Sequence, residues 1–202
     1  MKFIKTSQIL LVFSLTASVA NAATLIFDDG GAGNAVGTAG NWNPDQIPTA
    51  VDDLTIGSAF ATTGNLGGSG TPASTVLVQG SHTSTWGLVS FTIDGGSVSL
   101  AGAGGPFGGA RGSANLLNNG TLTFTAKTAA EVVSQYSGNI SVAGAAAVFG
   151  GDPLLVEPGD NAFIVENAAS GADNVTVNAI PEPAGVALFG LSGLVLLLRR
   201  RR

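Results

Sequence analysis

The sequence predicts an all-β body between two apolar end segments, and three observations lead to this prediction. Short runs with an apolar residue at every second position recur along the chain, as in strands with one face turned to a core. Gly, Asn and Asp separate these runs, which is typical of the turns between strands. Helix signals in the body are sparse, and we expect a single helix there, of about two turns, at Ala129–Tyr136.

Nine of the alternating runs are predicted strands. In chain order they are Leu25–Phe27, Leu54–Ile56, Thr75–Val78, Leu88–Ile93, Val98–Leu100, Leu122–Phe124, Ile140–Val142, Phe163–Val165 and Val175–Val177. Those beginning at Val98, Leu122, Ile140 and Val175 each follow a Gly or Asn turn, in steps of 24, 18 and 35 residues. Steps near twenty favour one strand per coil of a β-solenoid, with Asn ladders at the turns, and a β-sandwich is the alternative.

The first end segment, Met1–Ala22, has the pattern of a secretory signal peptide. Lys2 and Lys5 form its charged start, and a short apolar run around Ile9–Leu15 follows. Because the segment ends in a small-x-small site, we expect signal peptidase of the general secretion machinery to cut after it. The residues that define this cleavage are Ala20, Ala22 and Ala23.

The second end segment, residues 180–202, has the pattern of a short transmembrane helix. The apolar run Ala184–Leu198 would rise about 22 Å as a helix, against a hydrocarbon core of about 30 Å. Pro181 and Pro183 prevent an earlier helix start, which leaves Glu182 in an extended segment outside the membrane. The positive-inside rule places the terminal arginines in the cytoplasm and the body outside. These arginines are Arg199, Arg200, Arg201 and Arg202.

Pro181-Glu182-Pro183, the short apolar helix and the arginine cluster, in this order, resemble the PEP-CTERM sorting signal of Gram-negative bacteria. The resemblance covers residues 180–202. It implies that exosortase, a membrane-embedded cysteine transpeptidase, recognises the tail and removes it during export. The expected location is a transient inner-membrane anchor with the body outside the cytoplasm, and then the cell surface or extracellular matrix. In composition and spacing, the body's strands are similar to the repeats of autotransporter passenger domains.

The body, residues 23–179, is one acidic domain by length and composition. It contains twelve acidic side chains against two basic ones, Arg111 and Lys127, so about ten negative charges are unbalanced. Nucleic acid and anionic lipid are therefore disfavoured as partners, whereas cations and neutral or basic polymers remain open, an exopolysaccharide among them. The chain has no cysteine, so export brings no disulfide and packing must stabilise the fold.

Residues suited to catalysis are few, and we predict that the protein is not an enzyme. His82 is the only histidine, and its polar surroundings predict a solvated loop. The doublets Asp28-Asp29 and Asp52-Asp53 are candidates for the carboxylate pair of a glycoside hydrolase. Adjacent strand residues point to opposite faces, however, so neither doublet forms a facing pair by itself.

Calcium is the one cofactor that the sequence leaves open. Asp28 and Asp29 beside the loop Gly30–Asn34, or Asp152 and Asp160 with nearby carbonyls, provide oxygen ligands of the kind that calcium prefers. No EF-hand loop or calcium-binding repeat accompanies them. No metal or cofactor is therefore assigned beyond this hypothesis.

The two tryptophans are candidates either for structural roles or for sugar binding. Trp42 lies in Gly40–Pro44, where we expect it to cap the open first coil, with stacking on a sugar ring as the alternative. For Trp86 we expect packing in the core in preference to sugar binding.

The leading prediction is an exported structural or interaction protein of the surface or matrix. A carbohydrate-binding module is the second prediction, and an extracellular glycoside hydrolase is the third.

Overall fold

The computed structural model describes residues 22–31, 33–49, 51–66, 75–84, 89–101, 112–167 and 174–180. The signal peptide up to residue 21, Trp86, the Pro-Glu-Pro motif, the apolar run 184–198 and the arginine cluster 199–202 lie outside these ranges. Within them, no helix has the length and apolar character needed to cross a membrane. The predicted transmembrane helix therefore stays a prediction.

The described residues form fourteen strands and one α-helix. The strands are β1 Thr24–Phe27, β2 Trp42–Asn43, β3 Asp53–Ile56, β4 Ala61–Thr63, β5 Thr75–Val78, β6 Ser81–Ser84, β7 Ser90–Asp94, β8 Ser97–Leu100, β9 Ser113–Leu117, β10 Thr121–Thr125, β11 Ile140–Val142, β12 Ala145–Ala146, β13 Ala162–Asn167 and β14 Asn174–Ala179. The helix α1 spans Ala129–Tyr136, and short 3₁₀ turns lie at Ala39–Asn41 and Ser137–Asn139. The prediction of a body built mainly from strands is confirmed.

The strands form two mixed sheets. One has eight strands in the order β12-β11-β9-β7-β5-β3-β1-β2, and the other has six in the order β13-β14-β10-β8-β6-β4. From β3 to β10, consecutive strands alternate between the sheets, and each pairs in parallel with the strand two places along the chain. Antiparallel pairs occur at the ends of the sheets, where β2, β12, β13 and β14 join.

Alternate side chains of both sheets point into one shared apolar core. In the eight-stranded sheet Leu54, Val76, Phe91, Ala114 and Ile140 are register partners in successive strands, and all are buried. In the six-stranded sheet, the inward side chains of neighbouring strands such as β8 and β10 are likewise register partners and are buried. Each fully buried large aliphatic or aromatic side chain stabilises the fold by roughly 1.5–3 kcal/mol relative to exposure.

The helix α1 has the predicted bounds because its start and its apolar stripe are both local features. Thr128 Oγ1 accepts a hydrogen bond from the Glu131 backbone N–H at 3.3 Å, and Glu131 Oε2 accepts one from the Thr128 N–H at 2.9 Å. This reciprocal pair is a capping box. On the buried side, the Tyr136 ring stacks on Phe124 with centroids 5.3 Å apart, which attaches the helix to the core.

All nine predicted strands overlap observed ones, but two of the three predicted coil steps are wrong. Val98 and Leu122 are register partners in β8 and β10, as a coil step requires. Ile140, however, lies in the other sheet, so the step from Leu122 to Ile140 does not join neighbouring strands. Val175 lies opposite Phe124 in an antiparallel pair. Strands of both sheets share the same sequence pattern, an apolar residue followed by Ser or Thr and then another apolar residue. The pattern therefore cannot indicate to which sheet a strand belongs.

A polar ladder joins successive turns of the eight-stranded sheet. Asn118 Nδ2, after β9, donates to Asp94 Oδ1 at 2.6 Å, and Gln79 Nε2, after β5, donates to Asp94 Oδ2 at 3.5 Å. The expectation of side-chain ladders at the turns is thus correct in kind, although only one of these three residues is an asparagine.

Candidate functional site

The outward face of the six-stranded sheet carries hydroxyl groups in register. One row crosses five strands, and its members are Thr63, Thr83, Ser99, Thr123 and Thr176. A second row, two residues away along the strands, consists of Ser81, Ser97, Thr121 and Asn178. Because strands lie about 4.8 Å apart and residues i and i+2 about 6.6 Å apart, the two rows form a regular grid. We call these nine residues, eight with a hydroxyl group and one with an amide, the hydroxyl face.

The hydroxyl face is uncharged and accessible. Thr63 and Thr83 are exposed, and the other seven residues are half-buried. Thr123 Oγ1 and Thr176 Oγ1 lie 3.0 Å apart and share a hydrogen bond, so neighbouring strands are linked on the face itself. Within the five described strands that form it, no Asp, Glu, Lys or Arg points outward. This local neutrality contrasts with the acidic composition of the body.

Apolar side chains border one edge of the hydroxyl face. In β13, Val165 is the register partner of Thr176, and Phe163 is the register partner of Asn178. Val165 is 49% exposed and Phe163 is half-buried. The surface therefore offers hydrogen-bonding groups beside apolar ones, which is the combination that a sugar ring with polar edges and apolar faces requires.

A shallow cavity of about 510 Å³ adjoins the second row at the corner between the sheets. Ser81, Ser97 and Thr121 contribute to its lining, together with Gln79 and the half-buried ring of Phe60. Glycines form the tightest part of this corner, where a Cβ on Gly96 would lie 2.5 Å from Gly80 O. The cavity extends the polar surface without enclosing it.

His82 is not in a solvated loop, and the structure corrects that prediction. It lies in β6 with its side chain in the core and 1% of its surface exposed. Its ring packs near Phe91, with centroids 5.9 Å apart, and Nε2 has no hydrogen-bond partner among the residues that the structure describes. Burial lowers the pKa of His82 to about 4. The imidazole is neutral at pH 7 and has no route to a substrate.

The acidic doublets do not form facing pairs. Asp52 is buried whereas Asp53 is exposed, as alternation along a strand predicts. Asp28 and Asp29 are both exposed, and Asp28 Oδ1 accepts a hydrogen bond from the Gly30 N–H at 3.1 Å in a local turn. Neither doublet has the geometry of a glycosidase pair by itself.

In the described part of the structure, folding does not gather a set of acidic or histidine side chains around the calcium candidates. Asp160 Oδ2 accepts the Glu157 N–H at 2.7 Å, and Asp152 Oδ1 accepts the Leu154 N–H at 2.9 Å, so both carboxylates close local turns. In the described part of the chain, no three His, Asp or Glu side chains come together in a way that could hold a metal. Calcium binding at Asp28 and Asp29 stays a hypothesis.

Trp42 is buried, which contradicts its alternative role in sugar stacking. Its ring meets Phe27 edge-on with centroids 5.3 Å apart, and its Nε1–H donates to Val36 O at 2.9 Å. Because β2 is the outermost strand of the eight-stranded sheet, Trp42 covers the core at that end. The adjacent Asn41, which sequence reasoning did not single out, is also buried and bonds Gly31, Gly33 and Ala35.

The predicted sorting and cleavage residues are only partly placed. Ala22 is exposed and Ala23 is half-buried at the start of β1, whereas Ala20 lies outside the described ranges. The last described residue, Ile180, follows β14, and its N–H donates to Asn161 O at 2.8 Å. The Pro-Glu-Pro motif therefore begins directly after the last strand.

No protein-family model, curated protein or solved structure matches this chain. The function is therefore inferred from the two end segments and from the surface described above.

Proposed function

We propose that this protein is an exported surface or extracellular-matrix protein with a structural or interaction role, sorted and processed by exosortase through its C-terminal signal. The observation that supports a structural body is the alternation of β3 to β10 between two sheets with parallel partners. We interpret this arrangement as a short β-solenoid, which offers long regular surfaces. Solenoids with capped ends suit display and attachment outside the cell.

The sorting step follows from the order of the end segments. Signal peptidase cuts after Ala22, residues 184–198 arrest the chain in the membrane, and Arg199–Arg202 remain inside. Exosortase then reads Pro181-Glu182-Pro183 at the outer face. The position of Ile180 against Asn161 supports this order, since the motif follows the folded body without a linker.

Mass spectrometry of the protein extracted from the cell surface tests this proposal. We expect a product that lacks Arg199–Arg202 in a host with exosortase and an unprocessed chain in the same host without it. A Glu182→Ala variant should remain unprocessed, whereas Glu166→Ala, which changes a carboxylate in β13, should be processed normally. If the wild-type surface product retains its arginines, the tail is a permanent anchor and the sorting proposal fails.

A second function, binding of a neutral exopolysaccharide, is favoured by the hydroxyl face and its apolar border. Hydroxyl donors and acceptors at regular spacing match a polymer of hydroxylated rings, and Phe163 and Val165 supply apolar contact. The absence of outward charge on those strands suits a neutral polymer. Retention of the exported protein on its host's own polysaccharide tests this function.

A further inference from the structure

Asp52 is a buried carboxylate whose hydrogen bonds all come from two short segments. Asp52 is the residue immediately before β3, and 2% of its surface is exposed. Oδ1 accepts the backbone N–H of Ala23 at 2.9 Å. Oδ2 accepts the backbone N–H and the hydroxyl of Thr49, at 2.7 and 2.8 Å. The carboxylate thus joins the start of β1 to the loop before β3.

No cationic side chain neutralises this carboxylate within the described ranges. The one ion pair found there joins Lys127 to Glu131 on α1. Burial by itself raises the pKa of Asp52, but the hydrogen bonds from Ala23 and Thr49 outweigh it and leave the pKa below its usual value. Within the described ranges Asp52 is therefore a buried anion held by N–H and O–H dipoles, with no positive charge beside it.

We propose that Asp52 is the binding site for the amino terminus of the mature protein. The inference rests on the proposed cleavage after Ala22. Hydrolysis breaks the Ala22–Ala23 amide: water supplies a hydroxyl to the Ala22 carbonyl carbon and a proton to the Ala23 nitrogen. At neutral pH the new carboxyl proton is lost and the amine is protonated. The Ala23 nitrogen, already 2.9 Å from Oδ1, becomes an ammonium group.

The surroundings of Ala23 fit this role. Ala22 is exposed, so the scissile bond lies at the surface, whereas Ala23 is half-buried. The Ala23 carbonyl accepts the Asp53 N–H at 2.9 Å, so the backbone holds the nitrogen in place from its other side. In the precursor the donor is a neutral amide N–H, whereas after cleavage an ammonium group faces the carboxylate, so an attraction between opposite charges adds to the hydrogen bond. The attachment of β1 to β3 is therefore stronger in the processed chain than in the precursor.

Selective labelling of amines tests the inference, because the processed chain has only two primary amines. These are the α-amine of Ala23 and the ε-amine of Lys127, since Lys2 and Lys5 leave with the signal peptide. The full chain is expressed in a Gram-negative host, and the exported product is purified, sequenced from its amino terminus and treated with an amine-reactive ester at pH 7.5. Peptide mass spectrometry then gives the labelling rate of each amine.

We expect the α-amine to label at least tenfold more slowly in the wild type than in Asp52→Asn, with Lys127 as the internal reference. Asp53→Asn, which changes the exposed neighbouring carboxylate, should label like the wild type. Equal α-amine rates in wild type and Asp52→Asn would overturn the inference while leaving signal cleavage intact. An amino terminus other than Ala23 would overturn both the predicted cleavage and the inference.

The pH dependence of labelling keeps the test decisive if Asp52→Asn does not fold. An ammonium paired with a carboxylate holds its proton more tightly, so the wild-type α-amine should titrate above its ordinary pKa of about 8. Titration at or below that value would contradict the pairing.

Discussion

The Nδ1 atom of His82 lies 2.9 Å from Thr62 Oγ1 in the core between β4 and β6, where the two residues are register partners. Both side chains are buried, and the Thr62 hydroxyl donates a hydrogen bond to Ser81 O at 3.2 Å. His82 Nε2 has no partner among the described residues, so a proton added there would place a charge in an apolar region. This pair makes the fold sensitive to acid.

The first prediction is a loss of stability between pH 6.5 and 4. Burial lowers the pKa of His82 to about 4, against an ordinary value near 6.5, so the unfolded state binds more protons in this window. The free energy of unfolding should therefore fall by roughly 3 kcal/mol as the pH drops from 7.5 to 4. Urea denaturation of the exported protein at several pH values measures it.

His82→Leu is the control for this prediction, because it removes the titrating ring. The carboxyl groups of Asp52 and Glu131 also have lowered pKa values, and the stability that they contribute begins to be lost as the pH falls below their ordinary pKa values, 3.8 for Asp52 and 4.5 for Glu131, so the acid end of the profile contains their contribution as well. The difference between wild type and His82→Leu isolates the histidine. Parallel pH profiles for the two proteins would show that His82 is not the sensitive group.

The second prediction concerns the glycine corner between β7 and β8. A Cβ on Gly96 would lie 2.5 Å from Gly80 O and 2.7 Å from Val78 O, and both are backbone atoms that cannot rotate away. Gly96→Ala should lower the free energy of unfolding by about 1–3 kcal/mol. Gly138→Ala is the matched control, since its Cβ would meet nothing within 4 Å, and it should change stability little. Equal effects in urea denaturation would refute the corner geometry.

The third prediction tests the hydroxyl face. A triple variant, Thr83→Val, Ser99→Ala and Thr123→Val, removes three adjacent hydroxyls of one row and keeps their approximate size. If this face binds the exopolysaccharide of the host, affinity should drop at least tenfold, because lost hydrogen bonds cost about 1 kcal/mol each. Binding is measured by retention in affinity electrophoresis.

The control for the hydroxyl face lies on the outward side of the other sheet. Thr55 and Thr92 are half-buried there, in β3 and β7, and Thr55→Val with Thr92→Val should leave binding unchanged. A loss of affinity in both the triple variant and the control variant would indicate non-specific adsorption. No loss in either variant would exclude the hydroxyl face as the binding surface.

The fourth prediction concerns the capping role of Trp42. Because this ring is fully buried against Phe27, Trp42→Ala should cost about 3–5 kcal/mol of stability. Trp42→Phe retains most of the packing but loses the Nε1 hydrogen bond to Val36 O, and it should cost less. Thermal unfolding followed by circular dichroism compares the two. A wild-type-like Trp42→Ala would mean that the end of the core needs no cap.

The sequence by itself determined the local features of this protein. Alternation located nine strands, and the one helix expected in the body, Ala129–Tyr136, was placed correctly, because each signal acts over a few residues; the capping box from Thr128 to Glu131 that starts this helix was seen only in the structure. Five strands were missed, namely β2, β4, β6, β9 and β12, and in β4 and β6 the reason is that the inward residues Thr62, His82 and Ser84 are polar. Such residues break the apolar pattern while remaining in the core.

Only the tertiary structure decided which strands are neighbours. Successive register partners in the eight-stranded sheet, from Leu54 through Val76, Phe91 and Ala114 to Ile140, are separated by unequal lengths of chain. Loops of different length absorb these differences, so no fixed sequence period exists. Pairing depends on contacts between residues far apart in the chain. For the same reason, only the folded chain brings the hydroxyl rows into register and the carboxylate of Asp52 to the nitrogen of Ala23.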